Sequence, residues 1–288
     1  MPASSGFKLT YSTMFNPPPQ LHARFDAALA DFRRDGMGRD HAQWIGGASV
    51  GGARHFEVRS PIDQDWLIGR FVEASAQDVD RAVQTARAAY PAWAATPWRD
   101  RVALLRRAAR LIEERVYAIS AAVALEVGKN RMESIGEVQE TADLIDWYCD
   151  QMEANEGFDR ALPDDPLPNF RSHNRTVLRP YGVWAVIAPF NFPFALAGGP
   201  LGPALIAGNT AVFKVSPETS LSGRLLLDVL HDAGLPAGVI NFVTGGDATG
   251  RALVEHPGVA GITFTGSRAV GLRVLRQSVQ GRHPRPCI

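Results

Sequence analysis

Residues 183–188, 211–215, 239–243 and 261–265 form four short apolar runs, and the stretches between them have helical length and spacing. A strand buried on both faces reads as such a run. Strands alternating with helices at this interval imply βαβ units around a parallel sheet, an α/β fold. The first unit is the most constrained. Its run at 183–188 stops at Pro189, and a turn bounded by Pro189 and Pro193 carries Asn191. Residues 194–207 are apolar and rich in small side chains, long enough for a buried helix. Asn209 and Thr210 close that helix, and the run at 211–215 has Lys214 at its carboxyl end. Ligands of open α/β sheets sit beyond the carboxyl ends of the strands. Asn191 and Lys214 both fall there, so a site is expected between them.

The chain before this core reads as helices and a few short strands. Leu21, Phe25, Leu29 and Phe32 follow a Pro-rich piece at helical spacing and predict a short amphipathic helix. Over 43–74, paired glycines and Pro61 separate short runs at 56–58 and 67–72, which read as strands of one small antiparallel element. Ser75 and Asp78 resemble a capping box, followed by Val79, Ala82, Val83, Ala86 and Tyr90 on one helical face. Thr96 reads as the N-cap of the next helix, with Pro97 in its first turn and a stripe of Val102, Leu105, Ala109, Ile112, Val116 and Ile119. A third helical segment spans 120–153 with a break near Gly128, and its Arg and Glu residues read as a solvated face. Residues 163–168 form a linker by composition, and 169–179 read as a polar extended strand. Gly234 and Pro236 end a helix that begins near 219, and a last helix follows Ser267.

Composition excludes several classes. The chain has 288 residues, is 45% hydrophobic and 21% charged, and has a formal net charge of zero. A sizeable core is therefore available, whereas a nucleic-acid or anionic-membrane partner would need a basic face. No apolar run of about 18 residues escapes interruption, and no basic-then-apolar start marks a signal peptide. A cytoplasmic location is the expectation. Two cysteines make no disulfide framework, and the seven histidines lack ligand spacing, so no metal site is expected.

Two glycine-rich strand-to-helix turns carry the remaining signal. Residues 266–271 read G-S-R-A-V-G. A helix N-terminus offers unpaired N–H groups and partial positive charge, so a diphosphate could sit there with Gly266 allowing close approach. A tight turn with Ser267 as a plain N-cap explains the same residues. The second turn, T-G-G-D-A-T-G at 244–250, is neither G-x-G-x-x-G nor a P-loop, which excludes an ATPase reading.

P-F-N-F-P at 189–193, A-G-N-T at 207–210, F-K-V-S-P-E-T at 213–219 and F-T-G-S-R-A-V-G at 264–271, in that order, resemble the NAD(P)-dependent aldehyde dehydrogenase superfamily. The wider context, including 125–152, resembles its branch acting on glutamate semialdehyde. The resemblance covers about Gln43 to Ile288 and implies a Rossmann-like parallel sheet of βαβ units. It implies that Gly266 and Ser267 contact the diphosphate of a nicotinamide dinucleotide. The turn with Gly246 and Gly250 is implied to lie near the adenine end, and Lys214 to bond the adenosine ribose. Ala188, Pro189, Phe190, Ser216 and Phe264 complete the implied cofactor set. Asn191 is implied to be an oxyanion donor, a task for which a side-chain amide is chemically suited. Many NAD-preferring members carry Glu three residues beyond the Lys; here Pro217 stands there, with Glu218 next. NAD is the expected cofactor, with NADP open.

The nucleophile departs from the family. Covalent aldehyde oxidation needs a Cys whose thiolate can attack the carbonyl. The family's Gly-Gln-x-Cys-like and E-x-G-G-K-like motifs are absent. Cys149, in a helical W-Y-C-D, reads as a packing residue, and Cys287 precedes the last residue. The expected organisation is an extension over 1–42, a helical part of the cofactor domain over 43–168, an oligomerisation strand over 169–182 and an incomplete Rossmann-like core over 183–288. The catalytic domain is expected to lie outside these residues. The expected function is the cofactor-binding part of an NAD(P)-dependent enzyme oxidising an aldehyde to a carboxylic acid. Glutamate γ-semialdehyde, in proline breakdown, is the expected substrate, and the parent is expected to be a homo-oligomer. A broad-specificity member and a non-catalytic nucleotide-binding remnant are the alternatives. The missing strand and catalytic domain should leave an unpaired sheet edge and apolar surface, so aggregation of the isolated chain is expected.

Overall fold

The computed structural model describes residues 13, 15–281 and 283–288; most of the Pro-rich start of the expected 1–42 extension lies outside them. Helix α1 (Pro19–Asp31) is followed by strands β1 (Arg39–His41), β2 (Gln43–Ile45), β3 (Ala48–Val50), β4 (His55–Arg59) and β5 (Leu67–Val72). Helices α2 (Ala76–Ala95), α3 (Trp98–Glu114), α4 (Val116–Val127) and α5 (Arg131–Ala154) come next. Strands β6 (Asp159–Ala161) and β7 (Arg175–Val177) precede the core. The core then runs β8 (Val183–Ile187), α6 (Ala195–Ile206), β9 (Thr210–Lys214), α7 (Ser220–Asp232), β10 (Ile240–Phe242), α8 (Asp247–Glu255), β11 (Gly261–Phe264) and α9 (Arg268–Ser278).

The predicted βαβ repetition is present. The main sheet has the order β11-β8-β9-β10-β2-β3, and its first four strands are parallel. Side chains alternate across each strand. Trp184, Val186, Ala211 and Phe213 join Leu105, Ile145, Phe194 and Leu201 in one apolar cluster. Val183, Ala185 and Val212 join Val79, Val83, Leu253 and Val274 in another. Both faces are covered by helices, which is why the strands carry no polar alternation.

Several expectations change. The strands over 43–74 do not form one antiparallel element. The β2–β3 hairpin extends the main sheet through an antiparallel pairing with β10. β4 pairs antiparallel with β5, whose other edge takes β1 in parallel. Strand pairing therefore runs across the 42/43 boundary. Sequence spacing could not tell which edge each short strand would complete, because that choice depends on where the helices carry the chain. Thr96 is not an N-cap: its hydroxyl donates back to the Ala92 carbonyl at the end of α2, and Pro97 stands at the start of α3 without a side-chain cap. The box at Ser75 and Asp78 forms as read, with both reciprocal bonds. Within 169–179 only Arg175–Val177 is strand, paired antiparallel with β6 in a separate two-stranded sheet.

The Glu residues of 120–153 are not all solvated. Gly128 breaks the segment in the left-handed conformation (φ 73°), and a glutamate on each side of it is buried. Glu126 accepts from the N–H groups of Leu221 (2.7 Å) and Ser222 (2.9 Å) and from the Ser222 hydroxyl (2.5 Å). Glu137 accepts from the N–H groups of Phe194 (2.7 Å) and Ala195 (3.3 Å). Neither α6 nor α7 has a side-chain cap of its own, so α4 and α5 satisfy the first turns of both core helices. Gly198 permits this approach, because a Cβ there would collide with Thr141 on α5.

Candidate cofactor site

The register of the parallel strands builds the floor of the site. Ile187 is paired with Lys214 on one side and with Phe264 on the other, so the carboxyl ends of β8, β9 and β11 lie in one row. The chain leaves β8 toward α6 and returns from α8 into β11 on the opposite side of β8. This reversal of strand order opens a crevice that the loops cannot fill, the usual ligand site of such sheets. A cavity of about 810 Å³ occupies it.

The sequence-derived residues come together there. Asn191 and all ten expected cofactor residues line this one cavity: Ala188, Pro189, Phe190, Lys214, Ser216, Gly246, Gly250, Phe264, Gly266 and Ser267. They come from four separate loops of the sheet's carboxyl edge. The sequence reading did not name Asp247, Arg251, Thr265, Val270 or Arg273, which also line the cavity. Asp247 lies in the flagged glycine-rich turn and Arg251 directly follows it, and i,i+4 helical spacing from Asp247 could have found Arg251.

Each end of the crevice has its own chemistry. On the α9 side, Ser267 caps the helix by accepting from the Val270 N–H at 3.3 Å. Gly266 precedes it, and a Cβ there would stand 2.6 Å from the far end of the Phe264 ring, so the ring takes space that any other residue would need it to give up. On the β9 side, Lys214 is 5% exposed and makes no salt bridge among the described residues; its Nζ donates to the Val215 carbonyl at 2.9 Å. Burial lowers its pKa to about 8, against the opposing pull of Glu218 and Asp247. The Ser216 hydroxyl is hydrogen-bonded to the Glu218 carboxylate beside it. Between these ends stands the Pro-bounded turn. Asn191 is exposed toward the cavity, and among the described residues its side chain makes no hydrogen bond. Its amide is therefore not spent on its own turn.

No thiol reaches this cavity from the described residues. Cys149 is fully buried, its Sγ 3.8 Å from the Val102 carbonyl, and burial pushes its pKa up to about 12. Cys287 is partly buried, and its thiol is also raised by burial. It sits in a short segment beside β11: the Ile262 and Phe264 N–H groups donate to the Pro286 and Ile288 carbonyls, each at 2.9 Å.

With the geometry in place, the chain can be set among known proteins. The aldehyde dehydrogenase family pattern matches residues 47–286, and the chain belongs to that family. Among curated relatives, the 1-pyrroline-5-carboxylate dehydrogenase of Staphylococcus epidermidis is 35% identical over 256 residues, which is 88% of this chain and 49% of that protein. The enzyme of the same name from Anoxybacillus flavithermus is 35% identical over 246 residues, 85% of this chain and 47% of its own length. The structure of 1-pyrroline-5-carboxylate dehydrogenase from Thermus with bound NAD superposes with a TM-score of 0.88 at 28% identity, covering 100% of this chain and 55% of that one. NADP-dependent glyceraldehyde-3-phosphate dehydrogenase from Bacillus halodurans, complexed with NADP, gives 0.79 at 34% identity over 86% of this chain and 52% of the other. The chain spans about half the length of the curated relatives it matches.

Proposed function

We propose that this chain supplies the nicotinamide-dinucleotide half of an enzyme that oxidises an aldehyde to a carboxylic acid, with glutamate γ-semialdehyde as substrate, in proline breakdown. The observation that carries this is the convergence of Asn191 and ten further residues on the crevice where strand order reverses. The names of the relatives supply the substrate. The residues fit the cofactor. The glycine turn at 266 leaves room against Phe264, the capped α9 N-terminus suits a diphosphate, and Lys214 offers a donor to a ribose. Held by these residues, a nicotinamide dinucleotide would supply the hydride acceptor for the oxidation.

The chain's own residues bind, orient and polarise. The α9 N-terminus holds the diphosphate charge. Lys214 fixes the adenosine ribose from the β9 side. Asn191 offers its amide N–H to the substrate carbonyl oxygen, where negative charge develops on nucleophilic attack. The attacking thiolate comes from outside these residues, because a thiol titrating near 12 is protonated at neutral pH and Cys149 does not face the cavity. Glu218 and Asp247 both act on Lys214, and carboxylates beside the ribose site disfavour a 2′-phosphate, so the preferred cofactor is NAD. Homo-oligomerisation through the segment around β7 belongs to the same reading.

Calorimetric titration of the 288-residue chain with NAD and NADP, beside an assay for reduced cofactor with glutamate semialdehyde, tests this. Saturable binding, tighter for NAD and without turnover, is expected. Turnover by the purified chain would refute the assignment of Cys149 and Cys287 as non-catalytic, and absence of binding would refute the cofactor site.

A further inference from the structure

The turn that carries Asn191 is poorly held by its own backbone. Pro189 and Pro193 have no N–H, and among the described residues the N–H groups of Phe190, Asn191 and Phe192 make no hydrogen bond. Phe190 is 61% exposed. A segment so placed would sample several conformations, and a hydrogen-bond donor works only where it is already aimed.

What holds it is a buried ion pair from α5 and the loop before it. Lys129 Nζ lies 2.5 Å from Glu137 Oε2, with the Lys side chain 11% and the Glu side chain 0% exposed. The other oxygen of Glu137 takes the N–H groups of Phe194 and Ala195, where the turn enters α6. The ammonium of Lys129 sits 3.3 Å from the centroid of the Phe192 ring, next to Asn191. A desolvated cation over an aromatic face is attracted to it, and a carboxylate accepting two N–H bonds and an ammonium is fully used. One pair thus grips the turn at two points, its middle and its end. Neither point is a lining residue of the cavity.

We propose that the Lys129–Glu137 pair is a positioning device for the Asn191 turn: it fixes the aim of the Asn191 amide and of the cavity-lining backbone at 188–190 from behind. The value of that aim rests on the functional reading above, whereas the restraint on the turn does not. The cap on α6 accounts for the Glu137 carboxylate, whereas burying the Lys129 ammonium beside it adds a desolvation cost, and a buried ion pair is weak evidence for a stabilising role.

The test is hydrogen–deuterium exchange of the 288-residue chain, followed by mass spectrometry over peptides covering 194–198, where the Phe194 and Ala195 N–H groups are bonded to Glu137 and the Leu196 N–H to the Phe192 carbonyl, and covering β9, with NAD affinity measured by calorimetry. Three variants are compared. Lys129→Met removes both grips of the ammonium; Phe192→Leu removes only the ring and leaves the ion pair intact; Lys129→Arg keeps a cation over the ring. Exchange over 194–198 is expected to rise about tenfold in the first two, as loss of a charge-assisted contact would give. Exchange of β9 should stay at the wild-type level, NAD affinity should weaken severalfold, and Lys129→Arg should restore most of both. Unchanged exchange over 194–198 in Phe192→Leu, or a rise spread equally over β9, would overturn the proposal. Should Lys129→Met fail to fold, Phe192→Leu decides. If the wild-type chain binds no NAD, the functional reading falls and the exchange comparison still judges the pair.

Discussion

At the scale of single residues, the site is a set of small demands that the chain meets one by one. Gly266 leaves room for the Phe264 ring, whose far end would stand 2.6 Å from any Cβ there. Gly266→Ala should cost about 1–3 kcal/mol by overpacking and abolish measurable NAD binding, as thermal melts and calorimetry would show. Lys214 has the sharper signature. Its pKa is lowered by burial to about 8, so the ammonium proposed to donate to a ribose is present below that pH and lost above it. NAD affinity should therefore fall between pH 7 and pH 9 in the wild-type chain, and Lys214→Met should be weaker throughout and flat over the same range. A Lys214→Met variant with the wild-type pH profile would remove Lys214 from the site. Both residues were legible in the sequence, because each ends a strand in a motif whose chemistry is local. A shared site at the carboxyl ends was expected from the sequence, whereas the cavity itself depends on the register that levels Ile187, Lys214 and Phe264.

Among the secondary-structure elements, helices stabilise one another through their ends. Glu126 and Glu137 satisfy the first turns of α7 and α6, which lack side-chain caps of their own. A spacing argument assigns charged residues on a long helical segment to solvent, and here that assignment fails. One local signal pointed the other way: residues 121–125 are apolar all round, and a helix without a polar face is buried together with its charges. Replacing Glu126 by Ala leaves two N–H groups and a hydroxyl without their acceptor in the interior. Thermal or urea unfolding should register a loss of about 2–4 kcal/mol. A loss below about 0.5 kcal/mol, the range of ordinary surface changes, would show that water replaces the carboxylate.

For the molecule as a whole, acid and exposed apolar surface set the behaviour. His41 stacks on Phe71 at 4.7 Å, and its buried Nε2 makes no hydrogen bond among the described residues. Its pKa is lowered to about 4, first by burial and then by Arg224 and Arg39. The unfolded chain binds this proton near pH 6.5 and the folded chain only near 4, so His41 should favour folding above pH 6.5 and cease to do so as pH falls toward 4. The melting temperature of His41→Phe should consequently drop less than that of the wild-type chain between pH 7 and pH 5. Leu167, Phe170 and Leu178 around the β6–β7 sheet are more than half exposed, as are Val279 and Ile288 beyond α9. Apolar surface on this scale associates, and light scattering should detect species larger than 31.2 kDa. A sharply melting monomer would contradict that. The sequence by itself determined the βαβ core, its strands and helices, and the residues at the carboxyl ends, because period, turn chemistry and strand-terminal motifs are properties of neighbours along the chain. The tertiary structure alone decided which edge each short strand completes, that two glutamates are buried as caps, and that Lys129 lies over Phe192. Those contacts join residues far apart in sequence, and only the packing of α4 and α5 against the core brings them within reach.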